Sequence, residues 1–161
     1  MNELDAGDPN HSYAYAVALL ARRDYSTREL RQKLSDRGYL ENAIEPVLID
    51  LEETRKLDDQ RYGANVVAYR ARRGQGPARI RSELRRSGLK DDQIDEAVKT
   101  GDDAPDFIAL AREARRRKFG SALPADWKER AKQARFLQYR GFSTDHIRAA
   151  LESDLPDGET E

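Results

Sequence analysis

One register is written three times along this chain. Apolar residues stand at −8, −4, +6 and +10 from a glycine, giving Leu30, Leu34, Gly38, Ile44 and Leu48, then Ile80, Leu84, Gly88, Ile94 and Val98. The third copy reads Gln133, Leu137, Gly141, Ile147 and Leu151, with glutamine in the first apolar place. Tyr39, Leu89 and Phe142 follow the glycines, which are 50 and 53 residues apart. Apolar pairs four residues apart on either side of a glycine describe two short helices, the first closed by glycine in the left-handed conformation. An amphipathic stretch precedes each pair: Tyr13–Arg23, Tyr62–Arg73 and Phe107–Phe119. The repeat is therefore three helices, and the chain holds three copies. A unit of ~40 to 50 residues buries only a small core alone, so neighbours are expected to stack. The predicted fold is all-α: three tandem three-helix repeats forming an elongated, curved, solenoid-like body.

Local punctuation agrees. Ser26-Thr27-Arg28-Glu29 reads as a capping box. Gly76-Pro77 opens a helix with proline at its tolerated first position, and Ser143 is placed to cap the last helix. No sustained apolar–polar alternation marks a strand. The expected organisation is an acidic flexible tail over 1–11, repeats over 12–56, 57–101 and 102–152, and a second acidic flexible tail over 153–161. Linkers are expected at Lys56–Asp59 and Gly101–Pro105.

Charge constrains function more than length does. Charged residues make up 37% of the 161 residues, against the ordinary ~25%. No window approaches the ~18 apolar residues of a membrane span, and the N-terminus lacks a signal-peptide pattern. With no cysteine, disulfide scaffolds, thiol nucleophiles and cysteine-based metal sites are excluded, and a cytoplasmic location is expected. The net charge of −1 conceals a basic middle of +6 over residues 12–152, flanked by acidic ends. Arg70, Arg72, Arg73, Arg79, Arg81, Arg85 and Arg86 are opposed within their stretch only by Glu83, and a second basic run spans Arg112 to Lys118. Such runs suit nucleic acid or an acidic protein surface.

Catalytic patterns are absent. His11 and His146 form no ligand pair and stand beside no nucleophile. Gly74-Gln75-Gly76 runs into proline and is no phosphate loop. The acids Asp50, Glu52, Glu53, Asp58 and Asp59 read as a solvated or ion-paired face rather than a metal site. The chain is read as a non-enzyme with no catalytic residue, metal, cofactor or small-molecule substrate. Two binding modes remain: sequence-independent DNA binding through tandem helix-turn-helix-like units, and contact with several subunits of a protein assembly.

The particular residues carry a resemblance. Tyr25-Ser26-Thr27-Arg28-Glu29-Leu30, Leu57-Asp58-Asp59-Gln60-Arg61-Tyr62, Gly76-Pro77 with Ile80 and Glu83-Leu84, and Phe136-Leu137-Gln138-Tyr139-Arg140-Gly141-Phe142-Ser143 together resemble the bacterial RecX family, from about Tyr13 to Leu151. The resemblance implies three tandem three-helix repeats and a cytoplasmic modulator of the RecA recombinase, with roles in DNA repair and the SOS response. Such proteins bind RecA and RecA–ssDNA filaments and suppress filament extension, ATP hydrolysis and strand exchange without catalysis of their own. Direct binding to single- or double-stranded DNA is the further partner expected. The expected contacts are Arg70, Arg72, Arg73, Arg79 and Arg81, followed by Arg112, Arg115, Arg116, Lys118, Arg135 and Arg140. Three features depart from the pattern: Arg55-Lys56 where many relatives have a glycine-led turn, Gln133, and the acidic ends.

Overall fold

The computed structural model describes residues 1–99 and 104–152. Among these the chain is helical throughout and has no strand: α1 (Glu3–Ala6), α2 (Pro9–Leu20), α3 (Thr27–Arg37), α4 (Glu41–Glu53), α5 (Asp59–Arg72), α6 (Pro77–Arg86), α7 (Asp91–Lys99), α8 (Phe107–Phe119), α9 (Trp127–Tyr139) and α10 (Thr144–Leu151). The repeats are α2–α4, α5–α7 and α8–α10.

The repeated glycines do one job three times. Gly38, Gly88 and Gly141 have φ of 106°, 91° and 96°, a region that side chains with a Cβ rarely enter. After each glycine the next amide returns to the same carbonyl of the preceding helix: Tyr39 to Leu34, Leu89 to Leu84 and Phe142 to Leu137, all at 3.1 Å. That bond satisfies a helix-end carbonyl and turns Tyr39, Leu89 and Phe142 inward, where each is 4% exposed. The register's apolar positions are buried, apart from the half-exposed Ile147.

The contacts divide the molecule into two compact units, Met1–Ala64 with Leu84–Glu96, and Asn65–Glu83 with the chain from Ala97 onward. The division falls inside α5 and α6, so the middle repeat supplies part of each unit. In the first unit, Ala16, Tyr25, Leu30, Leu34, Tyr39, Ile44, Val47, Leu48, Leu51 and Leu57 form one core. In the second, α10 packs on α8 and α9, burying Phe107, Ala111, Leu137, Phe142, Ala150 and Leu151.

Each unit contains the same junction between successive repeats. In the first unit, buried Ser26 at the start of α3 donates its hydroxyl hydrogen to the Ser87 carbonyl at 2.6 Å, beside Gly88. In the second, Gly76 at the start of α6 donates its N–H to the Arg140 carbonyl at 2.8 Å, and Ala78 donates to Gly141 at 3.0 Å. Ser26 and Gly76 hold the same register position, 12 residues before their repeat's glycine. The start of one repeat's middle helix thus seats on the glycine turn of the next. Ser26 also accepts from the Glu29 amide, while Glu29 returns to the Ser26 amide. Ser26→Ala removes an N-cap and leaves a buried carbonyl unpaired, a loss of about 2 kcal/mol. Urea denaturation should show that loss, with Ser26→Thr retaining much of it.

Two expectations about segments meet the structure differently. Residues 1–11, expected as a flexible tail, are helical from Glu3. The acids act as caps: Asn2 and Asp5 form a capping box, Asp8 accepts from the Asn10 amide at 2.9 Å, and Pro9 opens α2. The Ala6 carbonyl accepts from Leu40 at 2.9 Å. The expected linker Lys56–Asp59 is tightly held, with Leu57 buried at 2% exposure and Asp59 accepting the Thr27 amide at 2.7 Å. Arg55, where a glycine-led turn is common in the pattern, takes φ 56°. Gly101–Asp103 of the second expected linker and the expected acidic tail at 153–161 lie outside the described residues.

His146 stands at the third position of α10 in a capping box with Ser143. Its ring lies 5.7 Å from Phe107 and 6.4 Å from Phe142. Burial holds its imidazole below the ordinary value, against the opposing pull of Asp145 and Asp106. A depressed histidine contributes stability that is complete above its unfolded value of about 6.5 and lost as pH falls through the folded value. Protonation also places a donor and a positive charge at a helix N-terminus. Melting temperature should therefore fall between about pH 7 and pH 5. In His146→Gln, which keeps the acceptor but does not titrate, that slope should be shallower.

Candidate partner-binding surface

All eleven expected contact residues belong to the second compact unit. They reach it from the last turn of α5 (Arg70, Arg72) and the residue after it (Arg73), the first turns of α6 (Arg79, Arg81), α8 (Arg112, Arg115, Arg116, Lys118) and α9 with its C-cap (Arg135, Arg140). Basic residues crowd the last turns of α5 and α8, where the helix dipole favours cations. Arg79 is fixed near Gly141 by the repeat junction: a Cβ at Gly141 would stand 2.7 Å from the Arg79 nitrogen.

Ion pairing sorts these residues. The Arg70 guanidinium grips Glu83 through two bonds, at 2.8 and 3.0 Å. This pair is partly buried, so Arg70 ties α5 to α6. Glu113 is shared by Arg116 at 3.8 Å and Arg117 at 2.9 Å. Arg112 and Arg81 are half-buried, and Arg112 leans on the Ala149 carbonyl at 3.4 Å.

Arg115 stands apart from the expected surface. It is 0% exposed and donates to the carbonyls of Gly120 and Ala122 at 3.4 and 3.0 Å, anchoring the segment between α8 and α9. Its Nε and Nη2 have no partner among the described residues, nor does Oε1 of buried Gln133. The third repeat thus buries a guanidinium and an amide, the amide at the register position that Leu30 and Ile80 hold in the other two.

The remaining cations are not neutralised by acids, and all but the half-buried Arg140 are exposed. Among the described residues, Arg72, Arg73, Arg79, Lys118, Arg135 and Arg140 have no carboxylate partner. Three of them lie against aromatic rings instead: Arg73 is 4.6 Å from the Tyr69 centroid, Arg79 is 5.1 Å from Tyr139 and Arg140 is 5.1 Å from Phe136. Such contacts hold a guanidinium in place without neutralising it. The surface offers fixed positive charge to an acidic or phosphate-bearing partner. Lys128 and Lys132 on α9 are likewise exposed and without a carboxylate partner. Neither belongs to the basic runs that mark the arginines in the sequence, and the available signal is their i, i+4, i+7 spacing with Arg135, which puts all three on one helix face. The acids Glu52 and Asp59 bond to Thr27 at 3.2 and 3.1 Å, bracing the start of α3. No group of three or more potential metal-ligating side chains stands together among the described residues, and no described helix is long and apolar enough to cross a membrane.

Comparisons with known proteins point one way. Family models match the chain in order: the RecX first three-helix domain over 13–51, the second over 58–98 and the third over 105–151. The chain is 46% identical over 144 residues to a protein named Regulatory protein RecX from Halorhodospira halophila (strain DSM 244 / SL1), covering 89% of this chain and 88% of that one. It is 46% identical over 132 residues to the protein of the same name from Ectopseudomonas mendocina (strain ymp), covering 82% and 87%. A crystal structure of regulatory protein RecX superposes with a TM-score of 0.72 at 22% identity, covering 87% of this chain and 70% of that one. RecX from Lactobacillus salivarius gives 0.71 at 19% identity, covering 89% and 94%. With its three matched domains in order and relatives of 46% identity along most of its length, the chain belongs to the RecX family of regulatory proteins.

Proposed function

We propose that this protein regulates RecA by binding RecA and RecA–ssDNA filaments, lowering filament extension, ATP hydrolysis and strand exchange without chemistry of its own. Family membership supports the choice of partner. The observation that carries the choice of surface is the set of guanidinium groups without a carboxylate partner, exposed at Arg72, Arg73 and Arg79 and half-buried at Arg140, held on one compact unit by helix ends and aromatic rings. A filament repeats the same surface from subunit to subunit, and its bound strand repeats a phosphate. A body of tandem repeats with spaced positive charges engages several such sites at once, and each engagement raises the effective concentration for the next. Bridging neighbouring subunits would hold them in a state unfit for turnover or block growth at an end. This role places the protein in the cytoplasm with RecA.

The experiment is RecA ATP turnover on single-stranded DNA. Substoichiometric protein should depress it, and the protein should sediment with the filament. Unchanged turnover at equimolar protein would remove the reading. Sequence-independent DNA binding is the second reading, favoured by the open arginines. It requires tight binding to DNA alone that weakens steeply as salt rises.

A further inference from the structure

The outer face of α9 joins a row of cations to the two most exposed aromatic rings among the described residues. Lys128, Lys132, Arg135 and Tyr139 stand at i, i+4, i+7 and i+11, one stripe along a helix. All four are exposed, and the three cations have no carboxylate partner among the described residues. Tyr139 is 76% exposed, with the Arg79 guanidinium 5.1 Å from its ring centroid. Flanking the stripe in the first turn of α9 is Trp127, 81% exposed. From Trp127 to Tyr139 the helix rises about 18 Å.

Two exposed rings grouped with unneutralised cations on one helix make an apolar patch rimmed by charge, the kind of surface that marks an interaction site. An acidic protein would satisfy the cations but has no need of two open ring faces. A nucleotide strand satisfies both, because each unit offers a flat base and a phosphate, and an unpaired strand leaves its bases free to stack. We propose that the α9 face binds single-stranded nucleic acid directly, with bases stacking on Tyr139 and Trp127 and phosphates lying against Lys128, Lys132, Arg135 and Arg79. This deepens the filament-binding reading, on which its biological setting rests, by naming the component that α9 touches. Tyr139 is held in place because Gly76 and Ala78 dock on the Arg140-Gly141 turn, bringing Arg79 over its ring.

Trp127 is the only tryptophan in the chain and reports on the site. Titrating the full chain with oligothymidylate should quench its emission by roughly half, with affinity falling at least tenfold as sodium chloride rises from about 50 to 300 mM. An abasic oligomer of the same length should bind more weakly and leave the emission nearly unchanged. Polyglutamate should not quench. Tyr139→Ala should weaken oligothymidylate binding about tenfold, and Lys128→Glu with Lys132→Glu by more, each variant retaining the parent circular dichroism. Equal response to polyglutamate, an abasic oligomer as effective as oligothymidylate, or no weakening in Tyr139→Ala would overturn the proposal. RecA turnover separates this inference from the filament reading. A wild-type chain that lowers turnover yet ignores the oligonucleotide defeats only the α9 inference. One that binds the oligonucleotide yet leaves turnover unchanged defeats only the RecA reading.

Discussion

Gly76→Ala should lower the melting temperature by roughly 10 °C. A Cβ at Gly76 would lie 2.3 Å from the Gly141 carbonyl carbon and 2.4 Å from both its oxygen and the Phe142 nitrogen. These are backbone atoms of a turn pinned on both sides, so no side-chain rotation relieves the overlap. Separation would sacrifice the bonds from Gly76 to Arg140 and from Ala78 to Gly141. Overpacking alone costs about 1–3 kcal/mol, and lost junction bonds add about 1 kcal/mol each. For a chain of this length each kcal/mol corresponds to about 2–4 °C. Gly88→Ala makes a useful contrast, because its Cβ would meet the Arg28 side chain at 2.4 and 2.5 Å while also straining a left-handed turn. Calorimetry on the two variants checks the junction in each compact unit separately. A melting temperature within about 2 °C of the parent for Gly76→Ala would show that the junction is looser than this geometry.

Reversing three open charges should affect function without comparable damage to the fold. In the triple variant Arg72→Glu, Arg73→Glu and Arg79→Glu, no carboxylate partner is stranded, and all three side chains are exposed. The expected result is parent-like helicity and a tenfold to hundredfold increase in the concentration needed to depress RecA ATP turnover. A charge contact near 4 Å is worth about 1 kcal/mol in water, and reversal replaces attraction with repulsion. The effect should shrink as salt rises, since exposed charges are screened beyond a Debye length of about 10 Å at 0.1 M. A matched reversal in the first unit, Arg22→Glu, Lys33→Glu and Arg86→Glu, carries the same change in net charge. It should leave turnover near the parent value. Equal loss in both triples would mean that net charge, rather than this surface, governs binding.

The repeat was legible because its signals are local. Four-residue apolar spacing, a glycine that enters the left-handed turn without strain, and Ser26 and Ser143 as caps each act within a few residues, so the repeated helices and their apolar register can be read along the chain. The acidic start of the chain was misjudged even though its signal was also local: Asp8 before Pro9 is a helix start, and its negative charge belongs to a cap. Binding surfaces are harder to read, because a run of arginines looks the same in sequence whether its members are paired, buried or open. Packing between helices settles that Arg70 is held by Glu83, that Arg115 is sealed inside the third repeat, and that Arg72, Arg73 and Arg79 remain exposed. It also decided the junctions, where Ser26 and Gly76 meet carbonyls 61 and 64 residues away. Those partnerships depend on which distant surfaces meet when apolar faces are buried, and no spacing along the chain encodes that meeting on its own.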